Sequence, residues 1–474
     1  MTSKTHVCLI QCDYPKDHSF IIKDIIFPPL GLEYLAANIG DLAEIKIFDN
    51  RFPEYNLKNL KKEFENFHPD IVGISVNFSN QIYHANAIAK IAKDFGAKVL
   101  MGGWHATAVP EDTLSFPWTD LVIRGEGESA LRNLIIKGSP SDIKGISYKK
   151  NGKIIHNPDQ ELLDLNSSNP PARNYRPKFA KKYYNFFGVP VDSMETSRGC
   201  PYRCKFCNIH NFYHHKYRTR SIRQIIQDLN QINESVKLVY IIDDNFTAYR
   251  SHVIEVCNAI IKRNIKKAFM STSRLDQVVK YPEIYELMAK AGFIFTFVGI
   301  ESFSNKTLKS LNKQLELKQI RKGIKILHDL GFIIEGNIIL GANYNDTKKD
   351  LESTLEIAKS LDIDIPTFSL LTPYPMTDLW DEVNEKGLLL SGIDWHKFNW
   401  NNPIIKYPHL SPEDLKYYLN KAYFEVRRFK NPLNKFVNIL RARGLSFFIS
   451  TFLTQGGIKS LIHFIKRIYP DFLK

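Results

Sequence analysis

The chain has 474 residues, room for two or three domains at about 100 to 200 residues each. Its 44% apolar and 24% charged residues are ordinary for a globular protein and exclude a disordered or fibrous chain, and no run of about 18 apolar residues is present that would span a bilayer. The net charge of +14 is concentrated at one end: residues 421–474 carry eleven Lys/Arg against two acids, Glu425 and Asp471. The remainder is close to neutral, which disfavours a nucleic-acid groove through the body of the protein.

Apolar runs at 7–10, 45–48, 71–76, 99–101 and 121–123 alternate with helix-like segments. This pattern predicts a parallel sheet covered on both faces, with a ligand at the carboxyl edge of its strands. The first run is short and is followed by Gln11 and Asp13, which fits a strand better than an export signal. Gly73, Gly102, Gly103, Gly125 and Gly127 fall within or just after strands, where backbone turns tightly or admits a ligand. No GxGxxG fingerprint supports a nicotinamide dinucleotide. Lys149-Lys150-Asn151-Gly152-Lys153 carries a hairpin signal, and 166–176 is rich in Asn, Ser and Pro, so 141–190 reads as a connector.

The densest chemistry follows. Glu195-Thr196-Ser197-Arg198-Gly199-Cys200-Pro201-Tyr202-Arg203-Cys204-Lys205-Phe206-Cys207-Asn208 places three of the six cysteines within eight residues. Three soft thiolates suit zinc or an iron-sulfur cluster. A closed zinc site needs a fourth ligand, for which His210, His214 or His215 would serve, and an ordinary cluster uses four cysteines. Three close ligands point to a cluster with one open iron. So few cysteines, half of them clustered, also suit a reducing cytoplasm. Beyond this loop, strands at 236–242, 268–271, 295–299, 333–340 and 367–371 alternate with helices at 221–232, 284–291 and 317–330. With the strand before Cys200 this makes six βα units, whose functional groups belong at the strands' carboxyl ends.

The CxxxCxxC spacing of Cys200, Cys204 and Cys207, with Phe206 before the third cysteine, resembles the radical S-adenosylmethionine superfamily. Pro28-Pro29-Leu30-Gly31-Leu32-Glu33-Tyr34-Leu35-Ala36-Ala37, Asp70-Ile71-Val72-Gly73-Ile74-Ser75, Met101-Gly102-Gly103-Trp104-His105 and Arg124-Gly125-Glu126-Gly127-Glu128 look like the cobalamin-binding-type domain found upstream of many of its members. The resemblance implies an α/β chain. A Rossmann-like (flavodoxin-like) cobalamin-binding-type domain would occupy 1–140, the connector 141–190, a partial (β/α)6 barrel 191–380, and a mainly helical region with a basic amphipathic tail 381–474. It implies a 4Fe-4S cluster on Cys200, Cys204 and Cys207, S-adenosylmethionine on the open iron, and cobalamin. The DxHxxG pattern that gives cobalt a histidine is missing, so the corrin would lie over loops including Ser75 and Asn77, approached by Gly102, Gly103 and Gly125. His105 reads as a hydrogen-bonding residue more than as a cobalt ligand.

For S-adenosylmethionine the resemblance implies Asp243, Asp244 and Asn245 at the amino group. Ser273 and Arg274 would meet the carboxylate, with an Arg274–Glu301 salt bridge as the plainer alternative. Glu301 ends the fourth strand, Gly336 opens a GxIxxG segment against adenine, and Tyr374 lies in the sixth-strand ending. There Met376 stands where the family has Gly. The family chemistry is a 5′-deoxyadenosyl radical that abstracts hydrogen from an unactivated carbon.

Past residue 380, Trp380, Trp395, Phe398, Trp400, Tyr417, Tyr418, Tyr423 and Phe424 read as core more than as a cap over substrate. Residues 445–474 mix apolar and basic side chains, which fits a peripheral membrane contact on the cytoplasmic face, a docked cap or a dimer contact. The expectation is a cytoplasmic enzyme that takes electrons from a donor such as flavodoxin or ferredoxin and methylates a carbon of an apolar lipid, isoprenoid or tetrapyrrole. Ring formation, oxidative cyclisation or skeletal rearrangement is the close alternative. A transfer-RNA methylthiotransferase is disfavoured, because Cys8 and Cys12 do not make its N-terminal cluster; a non-enzymatic corrinoid-binding module is disfavoured by the cysteine triad.

Overall fold

A computed structural model describes residues 4–13, 27–176, 183 and 190–426. It divides into two compact units, the first made of Met1–Ser19, Pro28–Lys181 and Ile393–Asn399, the second of Phe20–Phe27, Lys182–Gly392 and Trp400–Lys474.

In the first unit, β1 (Thr5–Gln11), β2 (Ala43–Asp49), β3 (Ile71–Ser75), β4 (Lys98–Gly102), β5 (Leu121–Ile123), β6 (Ile146–Lys150) and β7 (Lys153–His156) form one sheet of order β2-β1-β3-β4-β5-β6-β7. The first five strands are parallel. Leu9, Ile10, Val72 and Val99 are wholly buried, as strands covered on both faces require. The order reverses between β1 and β3, and a crevice for ligand opens at the carboxyl edge beside such a reversal.

Two features of this unit were not legible beforehand. The expected hairpin forms, with Asn151 and Gly152 both at positive φ, as a tight two-residue turn demands. Its strands, however, extend the sheet antiparallel from β5 instead of simply leading out of it. Farther on, the Arg176 guanidinium pairs with the fully buried Glu33 carboxylate at 3.0 Å, and Ala172 N–H donates to the Glu33 carbonyl at 3.0 Å. A carboxylate so buried is stable only with a partner, so residues 141–176 belong to the first unit's packing.

The second feature is Ile393–Asn399, which returns to the first unit from late in the chain. Trp395 and Phe398 are buried there. The indole Nε1–H donates to Asp112 Oδ2 at 2.7 Å, the indole edge meets His105 with ring centroids 4.8 Å apart, and His396 stacks on Tyr83 at 3.9 Å. Trp395 and Phe398 are therefore core, as expected of their type, but core of the N-terminal unit. Tyr418 is also buried, whereas Tyr417 and Phe424 are exposed.

The second unit contains β8 (Val191–Met194), the short pair β9 (Ser197–Arg198) and β10 (Arg218–Thr219), then β11 (Leu238–Ile241), β12 (Ala268–Ser273), β13 (Phe293–Glu301), β14 (Ile333–Leu340) and β15 (Ile365–Leu370). Six of these form a wholly parallel sheet in sequential order from β8 to β15. Each strand neighbours the next in the chain, the pattern of a barrel, while β8 and β15 remain at opposite edges and leave it open. The intervening helices show why the periodicity was readable. Leu317–Asp329 buries Ile320, Gly323, Ile324 and Leu327 at helical spacing and begins with a Glu316/Gln319 capping box. Helices at Asp378–Glu385 and Pro412–Lys421 begin the C-terminal region. Among the described residues no helix is long and apolar enough to cross a membrane. The basic apolar segment 445–474 lies outside the described residues.

Burial moves the His105 imidazole down to about 3 from its usual 6.5. The unfolded chain therefore binds this proton below pH 6.5 while the folded chain does not, and stability falls as pH drops from 6.5 toward 3. Between pH 7.5 and 5.0 this one group should cost about 2 kcal/mol. Urea midpoints at the two pH values should differ less in His105→Asn than in the wild type.

Candidate functional site

The cysteine loop leaves β8 and is fixed by carboxylates from the end of β11. Asp243, buried after that strand, accepts Thr196 N–H at 2.7 Å, Thr196 Oγ1–H at 2.5 Å and Ser197 Oγ–H at 2.5 Å. Asp244 Oδ2 accepts the Gly199 N–H at 2.9 Å. Burial raises both carboxyls, Asp244 to about 6, against the lowering effect of these donors. Asp243 and Asp244 thus spend hydrogen-bonding capacity on the loop. Asn245, the third residue expected at the amino group, hydrogen-bonds a cysteine: its Nδ2–H donates to Cys200 Sγ at 3.7 Å.

Gly199 shows how tight the loop is. Its φ is +93°, and a Cβ there would lie 2.1 Å from the Lys216 carbonyl oxygen. Next to it β9 and β10 cross antiparallel, Arg218 opposite Arg198. No side chain fits at this crossing, and an L-residue also resists that backbone angle.

Around Cys204 the arrangement differs from expectation. Arg274 is buried and its donors are engaged within the protein: Nε–H with Asp276 Oδ1 at 2.9 Å, Nη1–H with Cys204 Sγ at 3.7 Å, and Nη2–H with the Lys313 carbonyl. The plane lies over the Tyr202 ring, 3.7 Å from its centroid. Arg274 therefore does not make the Glu301 bridge that was the plainer alternative read from sequence. Glu301 pairs instead with Lys313, Nζ to Oε1 at 2.7 Å, both buried. Glu301 takes φ +64°, a left-handed backbone that a non-glycine residue adopts at a cost on the order of 1 kcal/mol.

Of the other expected residues, Ser273 is buried at the last position of β12 and Phe206 is half-buried in the loop. Gly336 sits inside β14, where a Cβ would meet Ile300 Cδ1 at 2.8 Å and Ile363 Cγ2 at 2.9 Å; its lack of a side chain lets these two isoleucines pack over the strand. Tyr374 lies after β15 against Trp400, ring centroids 6.1 Å apart. Met376, in the place of a family glycine, keeps φ +64°, so the turn is retained despite the side chain.

Sequence reasoning assigned no role to Glu195, Tyr202 or Lys313. Glu195 is pushed up to about 7 by burial while holding Arg198 at 2.9 Å, and Tyr202 is pushed up to about 12, again by burial. The first two stand in the loop quoted for its cysteines; Lys313, over a hundred residues on, carries no local signal.

In the first unit, Ser75, Gly102, Gly103 and Gly125 lie at or just beyond the carboxyl ends of β3, β4 and β5. Gly103 at φ +97° leaves room for Asn77, whose Oδ1 would lie 2.6 Å from a Cβ. Gln81 Oε1 accepts the Asn77 and Phe78 N–H groups, each at 3.0 Å. His105 is held by Ser79, Nδ1 to Oγ at 3.0 Å, and its buried Nε2 has no hydrogen-bond partner among the described residues.

These residues fit the groups the resemblance implies. Three thiols on one loop, with N–H donors from Asn245 and Arg274 on two of the sulfurs, are a donor set suited to a cluster. Among the described residues no three His, Cys, Asp or Glu side chains converge as a single ion requires; a cluster spreads its thiolates over separate irons. In the first unit, an edge made largely of backbone and a buried unpaired imidazole nitrogen suit a flat macrocycle with polar substituents. Gly199→Ala should abolish iron uptake on anaerobic reconstitution and lower the urea midpoint sharply. Gly152→Ala, at positive φ with open space around it, should cost only about 1 kcal/mol.

Comparison with known proteins agrees with both units. The Radical SAM superfamily model matches residues 194–375 and the B12 binding domain model residues 25–135. An uncharacterized methyltransferase of Pyrococcus horikoshii is 33% identical over 405 residues, covering 84% of this chain and 87% of that protein. The anaerobic magnesium-protoporphyrin IX monomethyl ester cyclase of Rubrivivax gelatinosus is 26% identical over 424 residues, covering 84% and 75%. The structure of the cobalamin-dependent S-adenosylmethionine radical enzyme OxsB, with aqua-cobalamin and S-adenosylmethionine bound, superposes with a TM-score of 0.72 at 18% identity, over 98% of this chain and 75% of that one, and so shares the fold. The chain belongs to the cobalamin-binding-domain-containing radical S-adenosylmethionine enzymes, whose cofactors are a 4Fe-4S cluster, S-adenosylmethionine and cobalamin.

Proposed function

We propose that this enzyme methylates an unactivated carbon of an apolar small molecule such as a lipid, isoprenoid or tetrapyrrole. Cys200, Cys204 and Cys207 would hold the cluster. The observation that carries the reading is the loop itself: three thiols on a loop whose Thr196, Ser197 and Gly199 are held by Asp243 and Asp244, with Asn245 and Arg274 donating to sulfur. When bound, the cluster and S-adenosylmethionine supply a 5′-deoxyadenosyl radical, and cobalamin supplies the methyl group.

The protein's task is to position and to exclude water. Phe206, Asn245, Ser273, Glu301 and Tyr374 would line the S-adenosylmethionine site, supported by their places in the loop, at the ends of β12 and β13, and after β11 and β15. Gly336 would let β14 pack closely beneath them. Asp243 and Asp244 would act through the loop they hold, not on the ligand. In the first unit, Ser75, Asn77, Gly102, Gly103 and Gly125 would form the corrinoid edge. The domain limits 1–140, 141–190, 191–380 and 381–474 carry over to this reading with one adjustment, that 141–176 and 393–399 serve the first unit. A low-potential one-electron carrier such as flavodoxin or ferredoxin would supply the electron.

A second reading, ring formation without methyl transfer, is favoured by the likeness to the R. gelatinosus cyclase. The products separate the two. Turnover of the fully loaded enzyme should give S-adenosylhomocysteine together with 5′-deoxyadenosine; 5′-deoxyadenosine alone would establish ring or skeletal chemistry.

Residues 445–474 would add a peripheral contact with the cytoplasmic face of a membrane, supported by their mixture of basic and apolar side chains. Deleting them should reduce sedimentation with anionic liposomes, and sedimentation that stays unchanged would remove this part of the reading.

A further inference from the structure

We propose that Arg274 is a positioning residue that acts through Cys204: its guanidinium donates to the cysteine sulfur and raises the potential at which the cluster accepts an electron. The inference rests on Cys200, Cys204 and Cys207 being the cluster ligands.

The geometry makes this a fixed interaction. Nη1 lies 3.7 Å from Cys204 Sγ, the reach of a hydrogen bond to sulfur. Nε is tied to Asp276 at 2.9 Å, Nη2 to the Lys313 carbonyl, and the flat face rests on Tyr202. With the plane stacked and both other edges held, rotation of the guanidinium away from sulfur would break every one of these contacts. Lys313 is itself locked, its ammonium paired with Glu301 at 2.7 Å in a buried bridge. Glu301 adopts its strained left-handed backbone at that pair, so local strain is spent on anchoring the lysine whose carbonyl orients Arg274.

The electrostatic consequence follows from where the charges stand. Asp276 holds the guanidinium at Nε, while a different nitrogen, Nη1, meets the sulfur. A permanent cation with its N–H aimed at a ligand sulfur stabilises the more negative, reduced form of the centre. Asn245 makes the neutral counterpart of this contact at Cys200, also at 3.7 Å. A charged donor is roughly twice as strong as a neutral one, so Arg274 should matter more. The step concerned is the addition of one electron from a low-potential carrier, with no bond made or broken.

The test is a redox titration of the full chain, reconstituted anaerobically and followed by electron paramagnetic resonance with titanium(III) citrate as reductant. At the potential where the wild type is half reduced, Arg274→Met should show at least a tenfold lower reduced-to-oxidised ratio, which for a one-electron couple is a shift of about 59 mV to more negative potential. Arg274→Lys should fall between the two, and Asn245→Ala should shift less than Arg274→Met. A wild-type potential in Arg274→Met at full iron loading overturns the proposal. So does a wild-type potential in Arg274→Gln, which removes the charge, if the Met variant fails to load. Weakened S-adenosylmethionine binding with an unchanged potential also overturns it, in favour of a carboxylate clamp. A wild-type chain that takes up no iron would defeat the ligand reading itself, and is told apart by the iron assay before any titration.

Discussion

The second unit depends on a pair of carboxylates accepting hydrogen bonds from a loop they do not belong to. Asp243 and Asp244 follow β11, yet their partners Thr196, Ser197 and Gly199 follow β8, the neighbouring strand. A buried carboxylate is costly unless its oxygens are satisfied, and along the path the loop takes its donors satisfy both oxygens of the buried Asp243. That path brings Gly199 against the Lys216 carbonyl and presents the cysteines beyond it. The fold thus converts the cost of burying charge into the placement of three thiols.

A second layer of charge sits behind Cys204. Arg274, Asp276, Lys313 and Glu301 form one partly buried and one buried ion pair, joined through a backbone carbonyl. Buried pairs of this kind add little net stability relative to apolar packing. Their value lies in orientation, since each member fixes the next, and the last fixed group points at sulfur. Two left-handed residues, Glu301 and Met376, lie beyond β13 and β15 or at their ends. The carboxyl edge of a sheet is where ligands bind, and strained residues held there are compatible with a site in which geometry outweighs local comfort.

The first unit achieves its edge differently. Its strand ends carry glycines and small polar residues, and its order reverses between β1 and β3. The return of Ile393–Asn399 covers His105 and Asp112 with Trp395. A segment nearly three hundred residues distant in sequence is therefore part of this unit's core.

The sequence by itself determined the strands, the helices and the three thiols. Apolar runs such as 71–76 and 333–340 and the spacing of Ile320, Ile324 and Leu327 are local patterns, written in consecutive residues. The cysteine spacing is equally local, and resemblance extended it to a family. What only the tertiary structure decided were the partners. The sequence offers Arg274 as a guanidinium at a strand end; only the fold shows that Cys204, Asp276, Tyr202 and the Lys313 carbonyl all meet it. Asp243 and Asp244 read as acceptors at a strand end, and only strand pairing shows that the loop's own N–H and O–H groups stand beside them. Glu33 with Arg176 and Trp395 with Asp112 were equally invisible. Hydrophobic periodicity records which face of an element is buried, whereas hydrogen bonds and ion pairs are settled by strand order and long-range closure, which no local pattern encodes.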